Sequence, residues 1–492
     1  MVPGAHEARD ERKGEMRIGW LDLVVIAAYL VGITTFGVRF RKGQQDIRDY
    51  FLGGRTTPWW ALAFSIVATE TSTLTIIGTP ALAFAGNLGF LQLVIGYLAG
   101  RVLIVLLLLP QYFRGEFYTA YQVIEQQFGL RMKSAAATTF LVTRALADGV
   151  RVAAVALVVS VALGTGGVTS VIIILVLTLL YTFEGGMKAV IWTDVIQLGI
   201  YLAGAIAVFV LLLDRVPDGW REVEAVAAGV GKFQVFDFGF SLTKTYTFWS
   251  GLFGGAFLTM ASHGTDQLIV QRLLAARSER DAKLALLSSG VVIFAQFALF
   301  LVIGVMLFAY HQHSPLIVAG ESTDRIFPEF VVREMPAGLA GLVIAAVFAA
   351  AMSTTSGTLN SLASSSIVDF GRQKRDAAEF LRMSRWVTLV WGVVIGALAL
   401  VRWGPVLEAG LTIASITYGS LLGLFLLGRL LRRATPAGAL VGMFAGLAVM
   451  LAVKFGTPLA WTWYVLVGTV ATFGVGSAVS YLKPQMNPEK NS

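Results

Sequence analysis

The chain contains no cysteine, and only 4 of its 492 residues are histidine. The lack of cysteine excludes disulfide bonds, thiolate metal ligands and cysteine nucleophiles. The histidines show no spacing to aspartate or glutamate that resembles a metal cage, and the sequence shows no nucleophile with a neighbouring base. We therefore expect a protein that is not an enzyme.

Charged residues are scarce as well. They make up 14% of the chain, whereas about a quarter of the residues of a typical soluble protein are charged. Hydrophobic residues make up 56%, and they are concentrated in repeated runs of about 20 residues, the length that crosses a bilayer as a helix. This pattern predicts an all-α polytopic membrane protein with about thirteen transmembrane helices.

The net charge of +8 arises from basic residues in short loops between the apolar runs, so it does not predict nucleic-acid binding. Clusters of arginine and lysine occur near residues 39–55, 272–283, 372–385 and 429–433. Because short basic loops stay in the cytoplasm, the order of these clusters predicts an N-terminus outside and a C-terminus in the cytoplasm. We expect a multi-pass protein of the plasma (inner) membrane.

Residues 65–78 read SIVATETSTLTIIG and lie inside an apolar run, yet they contain Glu70 among five hydroxyl residues between positions 69 and 75. A carboxylate at bilayer depth is costly and indicates a partner, a cavity or a function. We predict a spanning helix that is interrupted near its middle, where freed carbonyl groups could bind an alkali cation. The alternative is a continuous helix whose hydroxyl groups only pack against its neighbours.

A second broken helix is predicted at residues 248–273, which contain Gly251, Gly254, Gly255 and Gly264. Interrupted helices at matching positions of two halves with opposite topology indicate an inverted repeat with binding at the midplane. His263 lies in this segment, and we expect it to be a packed ring.

A stripe of hydroxyl and amide side chains runs at helical spacing through residues 336–370, at Ser353, Ser356, Asn360 and Ser364. Such a stripe permits close helix packing, or it supplies oxygen ligands to a cation that has lost its water.

Arg144, Asp148 and Arg151 lie at positions i, i+4 and i+7 of another apolar segment, so Asp148 can reach either arginine. The three residues form a self-neutralised cluster, or they leave one guanidinium facing the translocation path.

Four segments together resemble the sodium:solute symporter family: ATETS at 68–72 with Gly78, WTDVIQ at 192–197, TDQLIVQR at 265–272 and AAAMSTTSGTLNS at 349–361. The resemblance implies an inverted-repeat fold of the amino-acid-transporter type. It divides the chain into an N-terminal tail with one peripheral helix and a basic loop (1–56), a ten-helix transport core (57–431) and two C-terminal helices with a tail (432–492).

The resemblance also implies a Na⁺ site between the first broken helix and the serine-rich helix. Its ligands are the carbonyl groups of Ala68, Thr71 and Ala350 and the hydroxyl groups of Ser353 and Thr354. The spacing supports the last three ligands, because Ala350, Ser353 and Thr354 lie at positions i, i+3 and i+4 of one helix and therefore share a face.

Some relatives bind a second sodium ion, and here the resemblance points to Asp194 and Ser356 for it. The following position is Gly357, which lacks the hydroxyl group of those relatives. The alternative to a sodium ligand is that Asp194 only caps the start of its helix, where a carboxylate complements the helix dipole.

Solute contacts are likewise implied by the resemblance. Glu70 matches an aspartate of the proline-type members. Solute contacts of the sialic acid type are matched by Ser72, Thr75 and Phe90, and the carboxylate-binding arginine of that type is matched by Arg151. Bacterial sugar members have Asn and Gln at the positions of Glu70 and Thr75.

We therefore predict a sodium-coupled symporter that imports a small carboxylate-bearing solute, such as an amino acid like proline, a sialic acid or a monocarboxylate. Sugar symport and uncoupled facilitated passage are the alternatives. The expected partners are sodium, the solute and the lipid bilayer, without nucleic acid or a protein partner.

Overall fold

The computed structural model describes residues 18–39, 52–115, 117, 119–181, 187–368 and 377–482, which fold into helices without an extended β-strand in these ranges. The helices are α1 (Trp20–Val38), α2 (Trp59–Glu70), α3 (Thr73–Ala85), α4 (Leu91–Leu103), α5 (Ala120–Phe128), α6 (Leu130–Leu163), α7 (Gly167–Tyr181), α8 (Met187–Arg215), α9 (Trp220–Ala228), α10 (Gly255–Gly264), α11 (Gln267–Leu274), α12 (Glu279–His313), α13 (Ile326–Glu334), α14 (Leu339–Val368), α15 (Ala377–Ala399), α16 (Val406–Leu430), α17 (Pro436–Gly456) and α18 (Tyr464–Leu482).

Within the described ranges, nine helices are long and apolar enough to cross a membrane, or ten if the bent pair α2 and α3 is one span; α4 reaches this length because consecutive helical turns extend it from Leu88 to Tyr112. The prediction of a polytopic helical membrane protein is confirmed at this level. The apolar parts of α7 and α15, Gly167–Val176 and Trp386–Ala399, are shorter than the others. Long apolar helices of this kind satisfy every backbone polar group internally, as a bilayer requires.

The first predicted break is confirmed. Helix α2 ends at Glu70, α3 begins at Thr73, and the two are bent by 63°. Thr71 has φ −79° and ψ 87°, and Ser72 is extended, so neither residue continues the helix. Gln296 of α12 donates its amide N–H to the Thr71 hydroxyl at 2.6 Å. The neighbouring helix therefore holds the non-helical residues in place.

The second break also occurs, but it lies at Thr265 and Asp266, after the glycines that suggested it. Asp266 accepts a hydrogen bond from the Leu268 N–H at 2.9 Å and so caps α11. The glycines serve packing, because a Cβ atom on Gly255 would lie 2.3 Å from the Leu93 carbonyl oxygen of α4. They allow α10 to approach α4 closely.

The two broken helices lie among long ones. Helix α12 packs against α2, α3 and α4, and α14 packs between α1, α6 and α8. Helix α3 packs against α16 so closely that a Cβ atom on Gly78 would lie 2.6 Å from the Leu407 Cβ. The non-helical residues Thr71, Ser72, Thr265 and Asp266 are all buried, so both breaks lie in the interior of the bundle.

Candidate functional site

A cavity of about 130 Å³ lies beside the two breaks. A water molecule needs roughly 10–15 Å³ of such space, so the cavity holds several waters or one small solute. Helices α10, α11, α12 and α16 contribute Thr259, Ser262, His263, Ile269, Phe297, Leu407 and Tyr418 to its wall. The five residues predicted to contact the solute all line it: Glu70, Ser72, Thr75, Phe90 and Arg151.

The Glu70 carboxylate is compensated by residues from two other helices. Arg101 of α4 is 1% exposed and donates to Glu70 Oε2, and His263 Nε2 lies 3.2 Å from the same oxygen. Arg101 also donates to the Tyr97 carbonyl and the Ser289 hydroxyl, each at 3.3 Å. The arginine offsets the cost of burying the carboxylate.

Sequence reasoning missed Arg101 and treated His263 as a packed ring. His263 does pack, with Ser262 Oγ 2.8 Å from its Nδ1, but its other nitrogen faces Glu70. The signal that could have found Arg101 was present, because an arginine inside an apolar span requires a partner of opposite charge.

The two arginines of α6 have separate carboxylate partners. Arg151 is paired with Asp148, whereas Arg144 is paired with Asp266 at the second break. Tyr418 of α16 donates to the same Asp266 oxygen at 2.7 Å. Asp148 therefore does not have to neutralise both arginines.

Arg151 is the more open of the two arginines, with a side chain that is 16% exposed compared with 6% for Arg144. Its Nη1 pairs with Asp148, whereas its Nη2 donates to no residue of the described part of the chain and is not among the enclosed atoms. The guanidinium thus lines the cavity with hydrogen-bonding capacity in reserve.

The first break frees the two carbonyl groups that were predicted to bind sodium. In a continuous helix the Ala68 carbonyl would accept from the Ser72 N–H, and the Thr71 carbonyl from the Thr75 N–H. Here the Ser72 N–H donates to the Glu70 carbonyl at 3.0 Å, and the Thr75 N–H donates to the Ser72 carbonyl at 2.9 Å. Carbonyl oxygens released in this way are hard ligands suited to an alkali cation.

The other predicted sodium ligands lie on α14, which contacts both halves of the first broken helix. Thr73 of α3 donates to the Val347 carbonyl at 3.5 Å, and the Thr354 hydroxyl donates to the Ala350 carbonyl at 2.9 Å. Ala68 and Ala350 are both buried. The side chain of Ser353 lies outside the described part of the structure.

Asp194 belongs to a buried network that links α8, α2 and α11. Arg272 donates to its Oδ2 at 2.9 Å, and Ser65 donates to the same oxygen at 2.6 Å while accepting from Arg272 Nε at 2.9 Å. Because Asp194 is the eighth residue of α8, it does not cap that helix. The Ser356 side chain, its predicted companion, lies outside the described part of the structure.

Comparison with known proteins identifies similar chains over nearly the whole length. The model of the sodium:solute symporter family matches residues 50–446. The sodium/sialic acid symporter SiaT of Proteus mirabilis is 29% identical over 484 residues, covering 94% of this chain and 95% of its own. The sodium/sialic acid symporter NanT of Aliivibrio fischeri is 31% identical over 470 residues, covering 93% and 92%.

A human protein and a solved structure extend this comparison. Sodium-coupled monocarboxylate transporter 1 of Homo sapiens is 30% identical over 453 residues, covering 89% of this chain and 74% of its own. A solved structure of a Na⁺-coupled sialic acid symporter in its substrate-bound outward-open state is 29% identical. It covers 95% of this chain and 99% of its own, with a TM-score of 0.85.

Proposed function

The chain belongs to the sodium:solute symporter family, and we propose that the solute it carries with sodium is a small organic carboxylate bound in the cavity beside the two breaks. The observation that carries this proposal is the Arg151 guanidinium, which lines the cavity and has its Nη2 without a hydrogen-bond partner among the described residues. A planar guanidinium suits two-point binding of a carboxylate. Ser72 and Thr75 line the same cavity and supply hydroxyl groups.

The relatives support the same chemistry. Two of them are sodium/sialic acid symporters and a third is a sodium-coupled monocarboxylate transporter, and both kinds of solute bear a carboxylate. The residues that matched the sialic acid type in the sequence, Ser72, Thr75, Phe90 and Arg151, come together around one cavity. Import with sodium is thus proposed for a carboxylate in preference to a sugar.

Sodium is proposed to bind between α2 and α14, to the carbonyl groups of Ala68, Thr71 and Ala350 and the hydroxyl groups of Ser353 and Thr354. The freed carbonyls at the first break support this site. The ion would tie the two helices together and favour the conformation in which they touch. One charge crossing 100 mV supplies about 2.3 kcal/mol, so inward sodium flow can drive accumulation of the solute.

A second sodium ion at Asp194 and Ser356 stays a prediction. The Asp194 carboxylate is already paired with Arg272, so a cation there would share it with a guanidinium. A sodium to solute ratio of one is the simpler expectation.

The finer architecture is also a proposal. Thirteen spans result if α7, α15 and the second broken pair join the ten apolar spans of the described ranges. Matching breaks in α2–α3 and α10–α11 support an inverted-repeat core at 57–431, flanked by 1–56 and 432–492. The basic loops support an N-terminus outside and a C-terminus in the cytoplasm of the plasma membrane.

The test is uptake into proteoliposomes that contain the purified full chain. Radiolabelled N-acetylneuraminate, L-proline and L-lactate are supplied with an inward sodium gradient, and choline replaces sodium in the control. We expect accumulation of at least one of these carboxylates above its external concentration in sodium only. Accumulation that persists in choline would reject the coupling, and sodium-driven uptake of a neutral sugar instead would reject the carboxylate.

A further inference from the structure

The two carboxylate oxygens of Glu70 have different surroundings. Oε2 accepts from Arg101 and faces His263, whereas Oε1 accepts no hydrogen bond from the described residues. The Glu70 side chain is 12% exposed and lines the cavity, and Oε1 is not among the fully enclosed atoms without a partner. One oxygen is therefore fixed by the protein, and the other remains available to a molecule in the cavity.

The arginine next to Glu70 fixes this arrangement. Arg101 donates through three different nitrogens, to Ser289, to the Tyr97 carbonyl and to Glu70, so its guanidinium has a single orientation. Because Oε2 is held in this way, rotation of the carboxylate to remove Oε1 from the cavity would break an ion pair. The open oxygen is a fixed feature of the cavity wall.

The formal charges around the cavity are balanced. Arg101 pairs with Glu70, Arg144 with Asp266, and Arg151 with Asp148. The wall thus carries no excess of positive or negative charge, but it offers a spare donor at Arg151 Nη2 and a spare acceptor at Glu70 Oε1. A solute that satisfies both carries an acceptor and a donor on different parts of the molecule.

Building on the proposed function, we infer that the solute carries a hydroxyl or ammonium group in addition to its carboxylate, and that this group donates to Glu70 Oε1. A plain monocarboxylate has no group that could donate to that oxygen and would leave it without a hydrogen bond from the solute. Sites built to hydrogen-bond a solute OH or NH group reject analogues that lack it by up to about 10⁴–10⁵-fold. The substrate class is therefore amino or hydroxy acids, in contrast to simple monocarboxylates.

Matched pairs of carboxylates test this inference on the full chain in detergent. L-Proline is compared with cyclopentanecarboxylate, L-lactate with propionate, and quinate with cyclohexanecarboxylate, because each pair differs in its donor groups. Binding is measured as the shift in thermal unfolding temperature with ligand concentration, in sodium and in choline. We expect a donor-bearing member of at least one pair to bind in sodium at least tenfold more tightly than its partner.

The outcomes separate this inference from the proposed function. Sodium-dependent binding of the donor-free members, as tight as that of their partners, overturns the inference and leaves carboxylate symport standing. Absence of sodium-dependent binding for all six carboxylates and for N-acetylneuraminate, measured beside them, counts against both.

A variant tests the role of Glu70 itself. In Glu70→Gln, the amide can place its NH₂ group toward the cavity, so the preference within the best pair should shrink at least tenfold. Glu222→Gln is the matched control, because Glu222 pairs with His313 away from the cavity and its variant should keep the preference. An undiminished preference in Glu70→Gln rejects Glu70 as the acceptor, and the wild-type comparison stands even if this variant does not fold.

Discussion

Arg272 and Asp194 form an ion pair at 2.9 Å across 78 positions of sequence, and neither side chain is more than 2% exposed. Ser65 contacts both residues, so the pair joins α11, which follows the second break, to α2, which precedes the first. The two broken helices are thereby linked at the middle of α2, where Ser65 is the seventh of twelve residues. Helices α2 and α11 should therefore move together during transport.

Removing one member of this pair should strongly destabilise the protein. Loss of one partner of a buried ion pair costs about 3–5 kcal/mol, because the other charge is left uncompensated. We expect Asp194→Asn to lower the unfolding temperature markedly, and Asp194→Asn combined with Arg272→Gln to recover part of the loss. Thermal unfolding of the purified variants measures this, and additive losses in the double variant would show that the pair is not coupled.

Sodium affinity should depend on α14. In Ser353→Ala and Thr354→Ala, a hydroxyl ligand is lost, so the sodium concentration for half-maximal uptake should rise several-fold at unchanged expression. Thr355→Ala, the same change at a neighbouring buried threonine, is the control and should retain the wild-type value. An unaltered sodium dependence in both site variants would remove these residues from the site.

Carboxylate binding should depend on the shape of the Arg151 side chain as well as its charge. Lysine cannot reproduce the planar two-point contact, so Arg151→Lys should raise KM for the carboxylate solute at least tenfold, or about 1.4 kcal/mol. Arg131→Lys, at an exposed position of α6, is the control. Normal KM in Arg151→Lys would assign Arg151 a structural role through Asp148.

Asp324, in the short turn before α13, should make the unfolding temperature of the protein depend on pH. Burial raises the pKa of Asp324, although its carboxylate accepts from the Val406 N–H at 3.0 Å. The folded state then binds the Asp324 proton more tightly than the unfolded state does. The free energy of unfolding therefore falls as the pH rises from the pKa of the unfolded state to the raised pKa of the folded state. Asp324→Asn should flatten this fall in unfolding temperature measured against pH, and an identical slope in the variant would contradict the assignment.

The sequence predicted the features that depend on neighbouring residues. Glu70 among hydroxyl residues was sufficient to predict the break at Thr71, and helical spacing was sufficient to pair Asp148 with an arginine. The partners of Glu70 could not be predicted in this way, because Arg101 and His263 lie 31 and 193 positions away and meet it only after the helices pack.

Glycine was ambiguous for a related reason. The glycines of residues 250–264 suggested a break, but Gly251 and Gly255 serve close approach to α4, and the chain breaks at Thr265 and Asp266. A glycine in a sequence is compatible with a helix break and with close helix packing, because it lacks a Cβ atom. Only the position of the neighbouring helix distinguishes them.

The close contact between Gly78 and Leu407 limits where the solute can pass between α3 and α16. There is no space for one additional carbon atom between α3 and α16 at this point, so a solute cannot pass between Gly78 and Leu407 until the two helices separate. The non-helical residues Thr71 and Ser72 provide a hinge at one end of α3. Tilting of α3 about that hinge would open this contact while α2 keeps its position relative to α11, to which Ser65 links it.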